Sequence, residues 1–167
     1  MMTSYKRIAI TGPECSGKTT LAETLHEHLG GTLVLEFARR YLDKTGGRYE
    51  QEDLDAIALG QMRQWMATHQ HPIISDTEMS TLKIWSLEKY GSCSDLIQTF
   101  YDKQQFDLYI LCRPDIAWVA DPLRENPNDR DLLFKKYLTE LESSDREFII
   151  WEGERNIDLL LSKLKGE

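Results

Sequence analysis

Short runs of β-branched and apolar residues alternate along the chain with longer stretches whose apolar positions recur every three or four residues. The short runs are KRIAIT from Lys6, TLVLEF from Thr32, PIISDT from Pro72, DLYILC from Asp107 and EFIIWEG from Glu147, and they predict five strands. Between them, Lys18 to Leu29, Leu54 to His69, Ser80 to Tyr90, Asp131 to Leu141 and Ile157 to Leu164 predict helices. Strands that are apolar on both faces, and separated by helix-length connections, belong to a parallel sheet covered on both sides. The pattern therefore predicts an α/β fold in three layers, a five-stranded parallel sheet flanked by helices. One stretch departs from the alternation. In DPLRENPNDRD, Asp121 to Asp131, Pro122 and Pro127 oppose helix, and the segment predicts a short lid insert.

Composition narrows the function more than the fold. The 167 residues suit a single domain, residues 1–167, around one core. Lys and Arg number 20 against 28 Asp and Glu, a net charge of −8, which argues against nucleic acid as a partner because phosphate-backbone affinity comes from Lys and Arg. The N-terminus runs straight into the first predicted strand and no apolar run approaches spanning length, so a cytoplasmic protein without a membrane partner is expected. Cys15, Cys93 and Cys112, an odd number without metal-ligand spacing, suit a reducing compartment better than a disulfide scaffold or a structural zinc. Formation of a homo-oligomer is left open.

The first strand is followed by Gly12-Pro13-Glu14-Cys15-Ser16-Gly17-Lys18-Thr19, which satisfies G-x-x-x-x-G-K-[ST] and opens into the helix carrying Thr20. This is the phosphate-binding loop of a P-loop NTPase fold. Gly12 and Gly17 permit backbone angles and close approach that side chains obstruct, so successive N–H groups and a helix N-terminus can face a phosphate. Lys18 brings positive charge to the β- and γ-phosphates of ATP, and Thr19 can place its hydroxyl on the accompanying Mg2+.

In an open parallel sheet the ligand lies beyond the carboxyl ends of the strands. Two acids are expected there. Asp76 ends the third strand, where an acid holds magnesium; the competing reading is an N-cap for the next helix. Glu36 ends the second strand and is followed by Phe37, Arg39, Arg40 and Tyr41, a group that predicts an acceptor pocket, with Glu36 receiving or directing the proton of an attacking hydroxyl. The competing reading for Glu36 is an ion pair with Arg39 or Arg40.

Arg124 and Arg130 fall in the predicted lid, where guanidinium can offset charge on a transferring phosphoryl group, and solvated surface arginines are the alternative. Trp85, Tyr90 and Trp118 are expected in the core. The four histidines suggest surface or helix-end roles, and Cys15, within the loop, is a candidate for oxidation sensitivity.

Taken together, ITGPECSGKTTLA, LEFARRYL, IALGQM, SDTEMSTLKIWS, YGSC and RPDIAWVADPLR resemble the ribosylnicotinamide kinase domain of NadR-type proteins, from Ile8 to about Leu160. The resemblance implies a nucleoside-kinase-like P-loop fold that transfers the γ-phosphate of ATP to the 5′-hydroxyl of nicotinamide riboside. It places ATP on Gly12 to Thr20, sets Glu36 and Asp76 beside the hydroxyl and magnesium, and assigns Arg124 and Arg130 to the lid. Three positions depart from that pattern: Cys15 where Ser is frequent, Glu78 where Asp is common, and Pro122 where the lid tends to have Gly. The NadR-type architecture also includes an adenylyltransferase domain, for which 167 residues leave no room. Two other readings stay open: a kinase for another nucleoside or small alcohol, and a nucleotide-dependent switch. The switch is disfavoured by the lack of an N-K-x-D segment for guanine recognition.

Overall fold

The computed structural model describes residues 3–166. Five strands form one parallel sheet: β1 (Arg7–Thr11), β2 (Thr32–Val34), β3 (Ile73–Asp76), β4 (Leu108–Cys112) and β5 (Phe148–Trp151), in the order β2-β3-β1-β4-β5. The chain leaves β1 first toward β2 and β3 and then crosses to β4 and β5 on its other side. That reversal makes the carboxyl end of β1 the topological switch point, where α/β sheets bind ligands.

Why the central strands read as unbroken apolar runs is clear from their burial. β3 and β4 are buried along their full length and β1 from Ile8 onward, whereas the edge strands β2 and β5 are only partly covered. Ile8, Ile10, Ile74, Leu108 and Ile110 point to one face, where they meet α1 (Lys18–Leu29) through Leu21 and Leu25, and α7 (Ile157–Lys165) through Leu160, Leu161 and Leu164. Ala9, Tyr109, Leu111 and Ile73 point to the other, under the remaining helices. Three layers result, as the alternation predicts.

Those remaining helices are α2 (Phe37–Thr45), α3 (Gln51–Met66), α4 (Met79–Tyr90), α5 (Asp95–Lys103) and α6 (Arg130–Glu142). Two of them, α2 and α5, fall outside the predicted set. Each has nine residues with only two buried positions, too few to establish a 3.6-residue period. α3 begins three residues earlier than predicted because Glu50 and Asp53 form a reciprocal capping box. Cys15, Cys93 and Cys112 are all free thiols. Among the described residues, no helix is long and apolar enough to cross a membrane.

Candidate functional site

The phosphate loop takes its shape from contacts that only glycine allows. Gly12 has φ 133°, and a Cβ there would stand 2.6 Å from the Cys112 carbonyl oxygen on β4. Gly17, with φ 84°, precedes the first turn of α1, a turn that carries no acidic residue to compete with an anion for its free N–H groups. Inside the loop, Ser16 Oγ and Lys18 Nζ both donate to the Pro13 carbonyl, at 2.7 and 2.8 Å. Thr19 and Thr20 open onto a cleft of about 1610 Å³.

Behind the loop stands a residue that no motif or periodicity singles out. Arg155, with φ 49°, donates to the Ser16 carbonyl at 2.9 Å, to the Arg113 carbonyl at 2.7 Å and to Asp115 at 2.6 Å. Its guanidinium fills the space above Gly17, 2.8 Å from where a Cβ would be. A lone arginine after a strand carries no sequence signal, since the contacts that define it lie about forty and about 140 residues away in the chain.

Asp76, 2 % exposed, accepts the Thr19 hydroxyl at 2.6 Å through Oδ2, while Oδ1 is buried without a partner. The competing N-cap role falls to a different residue. Glu78 caps α4 by accepting the Ser80 N–H at 2.8 Å, and also accepts from Thr11 at 2.7 Å and Gln104 at 2.6 Å. Between the two acids Thr77 has φ 84°, an outlier for a β-branched residue, with its carbonyl accepting from Ser75 and Ser75 in turn from Trp65. Backbone strain at this point turns Asp76 toward the loop and Glu78 toward the core.

No cluster of three or more His, Cys, Asp and Glu side chains suited to a metal occurs among the described residues. The Thr19–Asp76 pair still fits magnesium, an ion that usually takes one or two protein oxygens and completes its shell with phosphate and water. An orphaned, buried carboxylate oxygen beside the loop is what such an ion would satisfy.

Glu36 lines the same cleft at the N-terminus of α2. Burial raises its carboxyl above the usual range, Asp76 and Glu14 add to the rise, and Lys18 and Arg39 oppose it. The ion-pair alternative does not hold: Arg39 makes a bidentate pair with Asp121, 2.7 Å at each nitrogen, and Arg40 donates to Gln64 while covering the Phe37 ring. The expectation that Phe37 and Tyr41 line the acceptor pocket is corrected by their packing. The Phe37 ring seats against Gly60 of α3, and Tyr41 donates to Asp53, so both belong to the core beneath α2. Their place in the cleft wall is taken by Tyr49 and Trp85, packed edge to face with centroids 4.9 Å apart. Trp85, expected in the core, is shared between core and cleft.

The irregular segment between β4 and α6 begins at Arg113 and ends at Asp129, longer at its start than the predicted lid, and it rests closed on the loop. The Glu14 carboxylate accepts the N–H groups of Glu125 and Asn126, and Cys15 Sγ accepts the Val119 N–H at 3.3 Å. Arg124 lines the cleft, held by the Val119 carbonyl. Arg130 differs from expectation: it is the first residue of α6, and its guanidinium is taken up by the carbonyls of Cys15 and Ile116 at 2.9 and 3.0 Å, joining loop to lid outside the cleft. Trp118, expected in the core, is half-exposed under Arg124 and Arg130.

Comparison with known proteins bears on the family and the fold. The trifunctional NAD biosynthesis/regulator protein NadR of Escherichia coli is 32% identical over 158 residues, and that of Salmonella typhimurium 31% over 153. These alignments cover 89% and 86% of this chain but only 38% and 37% of the relatives, so the chain spans less than two-fifths of their length. Among solved structures, NadR protein in complex with NR superposes with a TM-score of 0.77 at 15% identity, over 97% of this chain and 52% of that one. Deoxyadenosine kinase from M. mycoides with bound dCTP follows at 0.61 and 19%, over 96% of this chain and all of that one. The fold is thus that of P-loop nucleoside kinases. Matched from residue 7 to residue 156 by the profile described as AAA domain, and homologous to NadR, the chain belongs to that family of P-loop domains.

Proposed function

We propose that the protein is an ATP- and magnesium-dependent kinase that phosphorylates the 5′-hydroxyl of nicotinamide riboside, giving nicotinamide mononucleotide in NAD salvage. The observation that carries this reading is Glu36: a carboxylate with no hydrogen-bond or ion-pair partner among the described residues, facing the same cleft as Lys18, Thr19 and Asp76. Nucleotide binding alone has no task for an acid at that position, whereas transfer to a hydroxyl needs one. Similarity to NadR, with one such structure holding NR and another NAD and AMP-PNP, supports the choice of acceptor and donor.

In this reading the loop N–H groups and the start of α1 cradle the phosphates, and Lys18 leaves the Pro13 carbonyl to meet them. Tyr49 and Trp85 offer aromatic surface to the acceptor's ring. Glu36 orients the hydroxyl and takes its proton as the new O–P bond forms and the bond from the γ-phosphorus to the bridging oxygen breaks, with ADP leaving. Burial makes Glu36 a stronger base, but the loose transition state leaves it more to do by positioning than by proton removal. Arg124, on the closed lid, offsets charge on the transferring group while the lid excludes water. Magnesium, held by Thr19 and Asp76, would supply neutralisation of the phosphate charge.

ADP release from ATP and magnesium, measured with a panel of nucleosides and with product masses determined, tests the reading. Nicotinamide mononucleotide formed well above the acceptor-free rate is the expected result. Turnover of another nucleoside or small alcohol instead would reassign the acceptor. Slow hydrolysis indifferent to every acceptor would favour a nucleotide-dependent switch.

A further inference from the structure

The segment IALGQM, Ile57 to Met62, is part of the resemblance to NadR-type domains, yet none of the phosphate chemistry uses it. It lies on α3 and ends against the start of α2. Gln61, 3 % exposed, accepts the Phe37 N–H through Oε1 at 2.9 Å. One turn on, Gln64 donates to the Leu35 carbonyl through Nε2 at 3.1 Å and accepts from Arg40 through Oε1 at 3.1 Å. These amide orientations are dictated by the partners, because a backbone N–H requires the oxygen and a carbonyl the nitrogen. Gly60 completes the contact, since a Cβ there would lie 2.2 Å from the Phe37 ring.

The two residues so held are the immediate neighbours of Glu36. Little else fixes this link: β2 ends at Val34, and α2 has no side-chain cap at its N-terminus. Nor does a hydrogen bond account for the state of the Glu36 carboxyl, which is governed by burial and by charges at a distance. The direction of that carboxylate is therefore set by its own main chain, and α3 grips the main chain on both sides with residues at i and i+3 of one helical face.

We propose that Gln61 and Gln64 are positioning residues for phosphoryl transfer, pinning the backbone on either side of Glu36 so that its carboxylate meets the acceptor hydroxyl. The role rests on the reading of Glu36 given above. Gln61 makes the stronger contribution because its side chain is buried, while Gln64 lies at the rim of the cleft.

A double-mutant cycle tests it, using the full chain with ATP, magnesium and nicotinamide riboside. Gln61→Met keeps the side-chain volume and removes the acceptor, and should lower kcat by roughly ten- to hundredfold, the scale of a misplacement near 1 Å, with little change in KM for ATP. Placed on Glu36→Gln, the same change should cost less than about threefold, because nothing remains to be positioned. Equal losses in both backgrounds, or full activity of Gln61→Met, would overturn the proposal. Wild-type transfer by Glu36→Gln would instead remove the reading on which it rests, and the two failures are distinguishable. Should Gln61→Met not fold, Gln64→Met, at a partly exposed position, carries the same cycle with a smaller loss expected.

Discussion

Thr19 and Asp76 meet where the carboxyl end of β3 faces the start of α1, the hydroxyl donating to Oδ2 at 2.6 Å and leaving Oδ1 buried and unpartnered. A buried carboxylate oxygen without a partner is costly, and it persists where a ligand or ion completes it. Asp76→Asn keeps an acceptor for Thr19 but removes the charge. Its kcat/KM for ATP should fall roughly a hundredfold, and the magnesium concentration for half-maximal activity should rise. A magnesium titration of ADP release reads both; an unchanged titration would place the ion elsewhere.

Lys18 in the present structure spans the loop to the Pro13 carbonyl, a contact that a phosphate would replace. Lys18→Ala should therefore weaken nucleotide use by roughly a hundredfold or more while leaving thermal stability almost unchanged. Binding of a non-hydrolysable ATP analogue, measured by calorimetry, separates this loss from one in the transfer step.

The lid is also fastened to α2 by the pair of Arg39 and Asp121. The Arg39 guanidinium, and next the Leu123 N–H, hold the Asp121 carboxyl down at about 2. A lowered carboxyl contributes its stability above its ordinary value and loses it as pH falls through the lowered one, so this latch is intact at neutral pH and opens only between about pH 4 and pH 2. Both side chains reach solvent, 46% and 22% exposed, which keeps the pair below about 1 kcal/mol. Asp121→Asn should leave Tm nearly constant yet speed proteolysis between residues 113 and 129. Cleavage unchanged from wild type would show that the contacts of Glu14, Cys15 and Arg130 suffice to keep the lid closed.

Much of this arrangement is legible in the sequence, for definite physical reasons. The central strands are readable because burial on both faces demands unbroken apolar runs, and the phosphate loop because its glycines answer to contacts such as the Cys112 carbonyl against Gly12. Glu36 and Asp76 could be located because strand ends are where ligands bind. What could not be read are the pairings over distance. Nothing local distinguishes Arg39, which reaches Asp121, from Arg40, which does not, or shows that Phe37 turns inward because α3 offers Gly60. Spacing alone leaves the N-cap of α4 open to Asp76, whereas the structure gives that role to Glu78. The positive φ of Thr77 between them decides the matter.

Glu78, two residues after Asp76, serves the fold. At 1 % exposure it accepts from Thr11, Ser80 and Gln104, and so ties the end of β1 to the starts of α4 and the loop after α5. Removing it strands three buried donors. Glu78→Ala should cost about 3 kcal/mol, by loss of a helix cap and of hydrogen bonds to a buried acid. Denaturant melts measure this directly, and a loss below about 1 kcal/mol would mean that water replaces the carboxylate.

Glu36 should behave in the opposite way, because in the proposed reading its position serves chemistry at the expense of stability. Burial raises its carboxyl above the ordinary range, so the folded chain holds this proton more tightly than the unfolded chain. As pH rises from the ordinary carboxyl range through the raised value, stability is lost, and above it the cost is present in full. Glutamine cannot ionise. Glu36→Gln should therefore melt at a higher temperature than wild type near about pH 7, with the gain vanishing below about pH 4, where both side chains are neutral. The same substitution should spare ATP binding and reduce transfer severely. In the wild type, kcat/KM should fall on the acid side at a pH above that of an ordinary glutamate, since the base works only when ionised. Equal melting temperatures at neutral pH would show the carboxylate to be solvated like a surface acid. Its basicity would then be ordinary, and positioning alone would be left to account for its part in transfer.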